Sequence, residues 1–491
     1  MRDDIKKLYS HYRKLSVVAK ASMWFVACSM LQKCIAVITV PIFTRIMPTE
    51  EYGLYSTYLS WFAVLDIICT LNVNSTIYIN NYTKANSQEE KDRVAVPLLS
   101  LSATVTISVF ILYLICYPFI KHMLKLPFYL VCLLFLQILF EPPVSMWSTQ
   151  QRFEYKYIKL VIRTIVMVFA NSILGIVFVV LAESNEAVAR AISIVLVQMV
   201  FGTFFYFYFW KRGKSFFSTK GWKHALDVQL PLIPHSLSLT ILASSDRIMI
   251  TSIVGAAFAA VYSVAYSAGY VVNVLKSSIV DAIRPWIYQK LKEKDYDSIR
   301  VTVNTVMILI TIITVCFTAF APEIIYILAP KEYYEAVYAI PPVAASSFFT
   351  FLYNIFSVVS FYHEKTKKIM VASMSGAALN IILNAALIPR FGYLAAAYTT
   401  LICYIFFAYA HYLIMKKITM IYLDGQMIYD IWFILILSIV VIAFAILFLF
   451  TYQYAIVRYL ILILTFAVSY IKRDSFILAL KRIKTGKAER K

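Results

Sequence analysis

Charge is what this sequence has least of. Only 15% of its 491 residues are Asp, Glu, Lys or Arg, where a soluble chain carries about 25%. Mean hydropathy is +0.75. The apolar residues fall in repeated unbroken runs of about 18 or more, not in alternation. This excludes a soluble globular domain and a transmembrane barrel, and reads as a series of membrane-spanning helices.

Cysteine is present only as seven isolated residues (28, 34, 69, 116, 132, 316 and 403), all in apolar runs and none in a CxxC pair. That pattern excludes a redox motif or zinc knuckle, and predicts free thiols acting as small hydrophobes, with no disulfide and no metal. A phosphate-binding P-loop, HExxH and GxSxG are absent as well. The longest expected outer loops, around 118–127 and 321–333, are too short for a catalytic domain. The expectation is a protein that is not an enzyme and needs no cofactor. No cleavable signal pattern is visible, because the first apolar run continues beyond h-region length.

What is there is oil with basic punctuation. Fourteen candidate spans read as 17–43, 53–80, 94–120, 128–148, 158–182, 187–210, 226–254, 257–288, 299–321, 334–361, 369–389, 392–415, 430–451 and 454–471. With the N-terminus inside, cytoplasmic segments hold 33 of the 46 Lys and Arg. Seven fall in outer loops: Arg45, Lys121, Lys125, Arg190, Lys331, Arg390 and Arg458. This bias predicts both termini in the cytoplasm. It also accounts for the net charge of +20 through an anionic membrane surface, with no nucleic acid required. In the N-terminal stretch Ile5, Leu8, Tyr12 and Leu15 share a helical face flanked by Lys and Arg, and in the tail Phe476, Leu480 and Ile483 do the same, as membrane-surface helices would.

The chain also aligns with itself at an offset of about 207 residues. "YGLYSTYLSWFAVLDI" (52–67) falls on "AAVYSVAYSAGYVVNV" (259–274), Arg93 on Arg300, Asn171 close to Asn380, and the basic pair 211–212 close to 416–417. Six helices per unit make the repeats parallel, a plan in which transporters rock one half against the other. The expected organisation is an interfacial N-terminus (1–16), a six-helix lobe (17–210), a cytoplasmic linker (211–225), a second six-helix lobe (226–415), helices 13 and 14 (416–471) and a basic tail (472–491). The fold class is all-α and polytopic.

Leaving aside charges at span ends, such as Arg190, Arg300 and Arg458, which are counted with the adjoining loops, ten charges are read as lying within the spans: Lys20, Lys33, Arg163, Arg247, Lys276, Arg284, Asp66, Glu141, Asp246 and Asp281. Each costs about 2.5–3.5 kcal/mol at a helix centre, so each needs a reason. Lys20, Arg163 and Arg284 are near enough to the cytoplasmic end to snorkel. Lys33 lies deeper, on a face with Ser22, Ser29 and Ala36. Asp246 and Arg247 are neighbours about 100° apart on one helix, so they cannot neutralise each other and each needs its own partner. Asp281 and Arg284, at i,i+3, have the spacing to pair. Six cations against four acids leave a positive interior, which suits an anionic substrate and not a cationic drug. Asn171, Asn380 and Asn384 read as interhelical hydrogen-bonding residues. Pro231 and Pro234 are expected to kink the seventh span.

"PIFTRIMPTEEYGLYSTY" (41–58), "LPLIPHSLSLTILASSDRIMITSIVG" (230–255) and "AVYSVAY" (260–266) resemble the Wzx-type polysaccharide flippases of the multidrug/oligosaccharidyl-lipid/polysaccharide exporter superfamily, with Ala260 standing where that family usually has Gly. The resemblance covers nearly the whole chain. It implies a bacterial plasma-membrane protein. Its substrate would be an undecaprenyl-pyrophosphate-linked oligosaccharide, moved from the inner to the outer leaflet for capsule, exopolysaccharide or O-antigen synthesis. The partners would be that lipid, the surrounding membrane and the polymerase machinery. Candidate pyrophosphate contacts are Lys33, Arg247, Lys276 and Arg284, and candidate coupling or structural acids are Asp66, Glu141, Asp246 and Asp281. A lipid II-type flippase and a cation-coupled multidrug antiporter are the alternatives.

Overall fold

A computed structural model describes residues 16–213, 217–364, 366–471, 473–474 and 477–478. The expected interfacial faces of residues 1–15 and of Phe476, Leu480 and Ile483 lie outside the described residues. The chain divides into two compact units, Met1–Leu237 and Ser238–Lys491. Every described element is helical.

Unit 1 contains α1 (Val17–Ile46), α2 (Thr49–Thr70), α3 (Thr76–Lys84), α4 (Gln88–Leu124), α5 (Phe128–Phe153), α6 (Tyr157–Leu181), α7 (Glu186–Gly213) and α8 (Thr219–Gln229). Polar residues mark where helices begin. Ser87 accepts from the Glu90 amide at the start of α4, and Ser218 from the Gly221 amide at the start of α8, satisfying donors that the first turn would otherwise leave unpaired. The core is built on α5: Leu130, Leu134, Ile138 and Met146 are buried, and Trp147 stacks on Phe205 of α7 at 4.5 Å.

The close approach of α5 and α7 follows from two sequence features. Pro143 has no amide proton, so the Leu139 carbonyl one turn earlier loses its helical donor. The Tyr206 hydroxyl on α7 donates to that carbonyl at 2.8 Å, and Gln198 donates to the Phe140 carbonyl at 3.2 Å. Gly202 makes room for this. A Cβ there would lie 2.7 Å from the Phe140 carbonyl oxygen. In lipid, freed backbone groups are tolerated when neighbouring helices satisfy them in this way.

The expected span 53–80 is not one helix. It breaks at Leu71 and Asn72, which both adopt left-handed backbone conformations, with φ of 52° and 51°. The break is held by side chains: Gln229 of α8 donates to the Asn72 carbonyl, and Thr70 accepts from the Asn72 amide at 3.1 Å.

Unit 2 contains most of α9 (Ile233–Ile253), then α10 (Ala256–Glu293), α11 (Tyr296–Ala319), α12 (Ala321–Leu328), a 3-10 helix (Lys331–Ala339), α13 (Ile340–Tyr362), α14 (Thr366–Phe391), α15 (Leu394–Tyr422), α16 (Ile431–Thr451) and α17 (Ala455–Ile471). Pro231 and Pro234 lie at a 56° bend between α8 and α9. α13 is almost wholly buried. It packs against α10 and α15, and its Ala344, Ala345, Ser346 and Ser347 are small enough for helix backbones to approach closely.

Among the described residues, eleven helices are long and apolar enough to cross a membrane, or twelve if the bent pair α8 and α9 is one span. α2 and α17 occupy the positions of the other two expected spans and fall short of that measure. The protein is an all-helical polytopic membrane protein.

Candidate functional site

Unit 1 contains an open polar cavity of about 400 Å³ walled by α1, α2, α5, α6 and α7. Ser29 and Gln32 of α1, Glu141 and Arg152 of α5, and Arg163 and Asn171 of α6 face it. Glu141 stands immediately before the proline pair of α5. Its carboxylate accepts from Asn74 at 3.2 Å, and Asn74 is delivered by the break between α2 and α3. Asp66 on α2 lies within electrostatic range of Glu141, and one of its carboxylate oxygens is buried without a hydrogen-bond donor. Arg163 reaches the Val144 carbonyl at 3.4 Å, its Nε has no partner, and no carboxylate lies within ion-pair distance among the described residues.

Arg163, placed by sequence near enough to the cytoplasmic end to snorkel, turns its side chain to the cavity. Lys33, next to the cavity residue Gln32, is half-buried and forms no ion pair with Asp66.

In unit 2 the adjacent charges of α9 part company. Asp246 is buried and its carboxylate accepts from four side chains on three other helices. These are the Tyr262 hydroxyl on α10, Asn384 at 2.7 Å and Asn380 at 3.4 Å on α14, and the Thr400 hydroxyl at 2.7 Å on α15. Ser245 donates to Asn380 at 2.7 Å and Thr399 to Asn384, which extends the network. Asn380 and Asn384 are thus interhelical hydrogen-bonding residues, as their position in an apolar run suggests.

Arg247 is held differently. Its Nη2 donates to the Ala243 carbonyl at 3.0 Å, and its guanidinium lies over the Tyr266 ring at 4.6 Å. It is half-buried, its Nε has no partner, and no carboxylate is within ion-pair distance among the described residues.

Lys276 is buried on α10 and donates to Asn273 at 2.6 Å. Asp281 and Arg284 do not form the pair their spacing allows: Asp281 is exposed while Arg284 turns inward and is half-buried. Among the described residues, no cluster of three His, Cys, Asp or Glu is disposed to hold a metal ion.

Two cations assigned to outer loops are in fact buried. Arg190 donates to the Asn171 carbonyl at 2.8 Å and to Ser193 at 3.0 Å, over the Phe43 ring at 4.4 Å, so it ties α1, α6 and α7 together. Arg458 of α17 donates to the Ala319 carbonyl and to Glu323, each at 2.8 Å. Ser193 is local to Arg190, but the Asn171, Ala319 and Glu323 partners lie 19, 139 and 135 residues away, and no local signal announces them.

Fold and sites define a polytopic membrane protein with charged groups held inside its helical units. Residues 18–291, more than half of the chain, match the model of the family described as polysaccharide biosynthesis protein, and the chain belongs to that family. No curated protein matches it in sequence. Among solved structures, the lipid II flippase MurJ in an inward closed conformation is similar with a TM-score of 0.65 and 14% identity, over 92% of this chain and 99% of that one. An inward-facing multidrug resistance MATE family transporter of the MOP superfamily gives 0.58 and 15%, over 80% and 99%. An outward-facing one gives 0.55 and 15%, over 82% and 96%. These likenesses concern the fold.

Proposed function

We propose that the protein is a flippase of the Wzx type. It moves an undecaprenyl-pyrophosphate-linked oligosaccharide from the inner to the outer leaflet of a bacterial plasma membrane, exposing its binding groups to the two faces in turn. The observation that carries this reading is a pair of half-buried guanidiniums within the spans, Arg163 and Arg247, with no carboxylate ion-paired to either. Glu141 lies within electrostatic range of Arg163, and Asp246 of Arg247, but neither makes a direct ion pair, and a cation held this way in a membrane interior remains costly. Its cost is offset when an anion arrives, and a guanidinium fork matches two phosphate oxygens at once. Membership of a polysaccharide biosynthesis family makes a phosphate-bearing, sugar-carrying lipid the fitting anion. Lys33, Lys276 and Arg284 are proposed as further contacts along its path.

Asp66 and Glu141 are proposed as coupling acids of unit 1, and Asp246 as a structural acid of unit 2. Asp281, exposed and unpaired, is left with a surface role. We also propose fourteen spans in duplicated six-helix halves plus two helices, with both termini cytoplasmic. A single cysteine at Lys220→Cys, in a variant lacking the seven native cysteines, should resist an impermeant thiol reagent in intact cells. Labelling from outside would reverse the orientation.

The reading as a whole is tested by depletion. Cells losing the protein should retain lipid-linked oligosaccharide that an impermeant lectin cannot reach, and re-expression should expose it. If exposure is unchanged by depletion, the reading is wrong. Arrested growth with peptidoglycan precursors trapped inside would favour the lipid II alternative.

A further inference from the structure

We propose that unit 2 carries a second binding site, for the sugar rings of the oligosaccharide, in the pocket formed around Tyr326 of α12, Tyr334 and Tyr338 of the 3-10 helix, and Tyr452 after α16. This inference rests on the flippase reading: it names where the saccharide end of the same substrate is held. The pocket has a volume of about 440 Å³, within the range of about 300–1,000 Å³ typical of small-ligand sites. Its wall is predominantly aromatic and aliphatic, and Glu335 and Gln453 supply polar groups.

That combination suits a sugar ring. A pyranose has apolar C–H faces that lie against aromatic rings, and a rim of hydroxyls that need hydrogen-bond partners. Tyr supplies a rigid amphipathic surface at low entropic cost, while a carboxylate and an amide take the hydroxyls. A negatively charged Glu335 disfavours phosphate, so this pocket is complementary to the opposite end of the substrate from the guanidiniums.

The rings are disposed as walls. Tyr326 and Tyr334 lie 6.4 Å apart, and Tyr338 and Tyr452 lie 6.2 Å apart. Tyr452 donates its hydroxyl to the Thr318 carbonyl at 3.0 Å, so the ring and not the hydroxyl is available to the pocket. Glu335 is exposed, and its Oε2 accepts from Tyr393 at 3.4 Å. The turn bearing Tyr452 and Gln453 is fastened from behind, where Arg458 and Tyr459 both donate to Glu323, at 2.8 and 3.0 Å. The site is therefore preorganised, which lowers the cost of binding. Tyrosines of a membrane interface belt face the headgroups individually. Here four of them line one concavity with a carboxylate and an amide. In the proposed orientation the pocket opens on the outer side, where a translocated saccharide emerges.

The test uses purified full-length protein in lipid nanodiscs. The probe is the water-soluble oligosaccharide freed by mild acid from the host's own lipid-linked repeat units, with binding followed by saturation-transfer difference NMR. Tyr326→Ala and Tyr334→Ala should each weaken binding about tenfold, the loss of one ring contact, and the double variant should abolish it. Tyr326→Phe keeps the ring and should bind within about twofold of wild type. Tyr326 and Tyr334 are both exposed, so neither variant opens a cavity in the core. No saturation transfer from the wild-type protein to the saccharide, or equal affinity in the double variant, would overturn the site. Failure of the two readings is distinguishable. If the saccharide does not bind while re-expression still exposes the lipid-linked material, the pocket is wrong and the flippase stands. If binding is tyrosine-dependent but exposure never depends on the protein, the pocket stands and the flippase reading fails.

Discussion

Arg247→Ala is expected to abolish surface polysaccharide while leaving the amount of protein in the membrane unchanged. The side chain is held by one backbone carbonyl of its own helix and by the Tyr266 ring, so its removal breaks no direct ion pair, and the neighbouring Asp246 keeps its four hydrogen-bond donors. What is lost is the proposed phosphate contact. Truncating a charged group of this kind costs about 2–5 kcal/mol, which is about thirtyfold or more in affinity. Arg247→Lys keeps the charge and loses the planar fork, and should retain partial activity. The measurement is surface polysaccharide normalised to membrane-inserted protein. Normal transport by Arg247→Ala would reduce this residue to a packing role.

Asp246→Asn is expected to do the reverse and lower the amount of folded protein. Every group facing the Asp246 carboxylate donates to it: two hydroxyls and two amides. Asn would turn an NH2 donor into a cluster of donors and leave buried hydrogens unpaired, at about 1–3 kcal/mol for each unsatisfied group. Tyr262→Phe removes a single donor and should cost less. Fluorescence-detected size exclusion of detergent extracts would give the comparison. The expected order of monodisperse protein is wild type, Tyr262→Phe, then Asp246→Asn. An Asp246→Asn protein as abundant as wild type would show that the network does not hold α9 to α10, α14 and α15.

The spans themselves are legible in sequence because hydropathy in lipid is a local property. Tyr157–Leu181 and Ile431–Thr451 stand almost where the apolar runs place them, and prolines 231 and 234 mark a real bend. The break at Leu71–Asn72 is not legible, since neither Gly nor Pro announces it and its support comes from Gln229, far along the chain. The same holds for the cations. Composition shows a positive interior, but whether a given Arg is free or fastened depends on tertiary partners. Arg163 has the position of a snorkelling residue and faces a cavity walled by four other helices. Arg190 and Arg458 have the position of loop residues and are buried against distant carbonyls. Asp281 and Arg284 have the spacing of a pair, but their side chains diverge. Spacing fixes which residues are able to meet, and packing decides which do.

The central claim is that unpaired guanidiniums bind the phosphate end of a lipid-linked saccharide and carry it across. The most direct measurement reconstitutes wild-type, Arg163→Ala and Arg247→Ala protein into liposomes containing a polyprenyl-pyrophosphate oligosaccharide. The accessibility of its sugar to an external glycosidase is then followed over time. A polyprenyl glycoside with the same sugar and no phosphate serves as the uncharged control. Wild-type protein should render the inner-leaflet pyrophosphate lipid fully cleavable, both variants should leave it near half cleaved, and the uncharged lipid should not be moved. Equal movement of both lipids, or undiminished movement by both variants, would contradict the account.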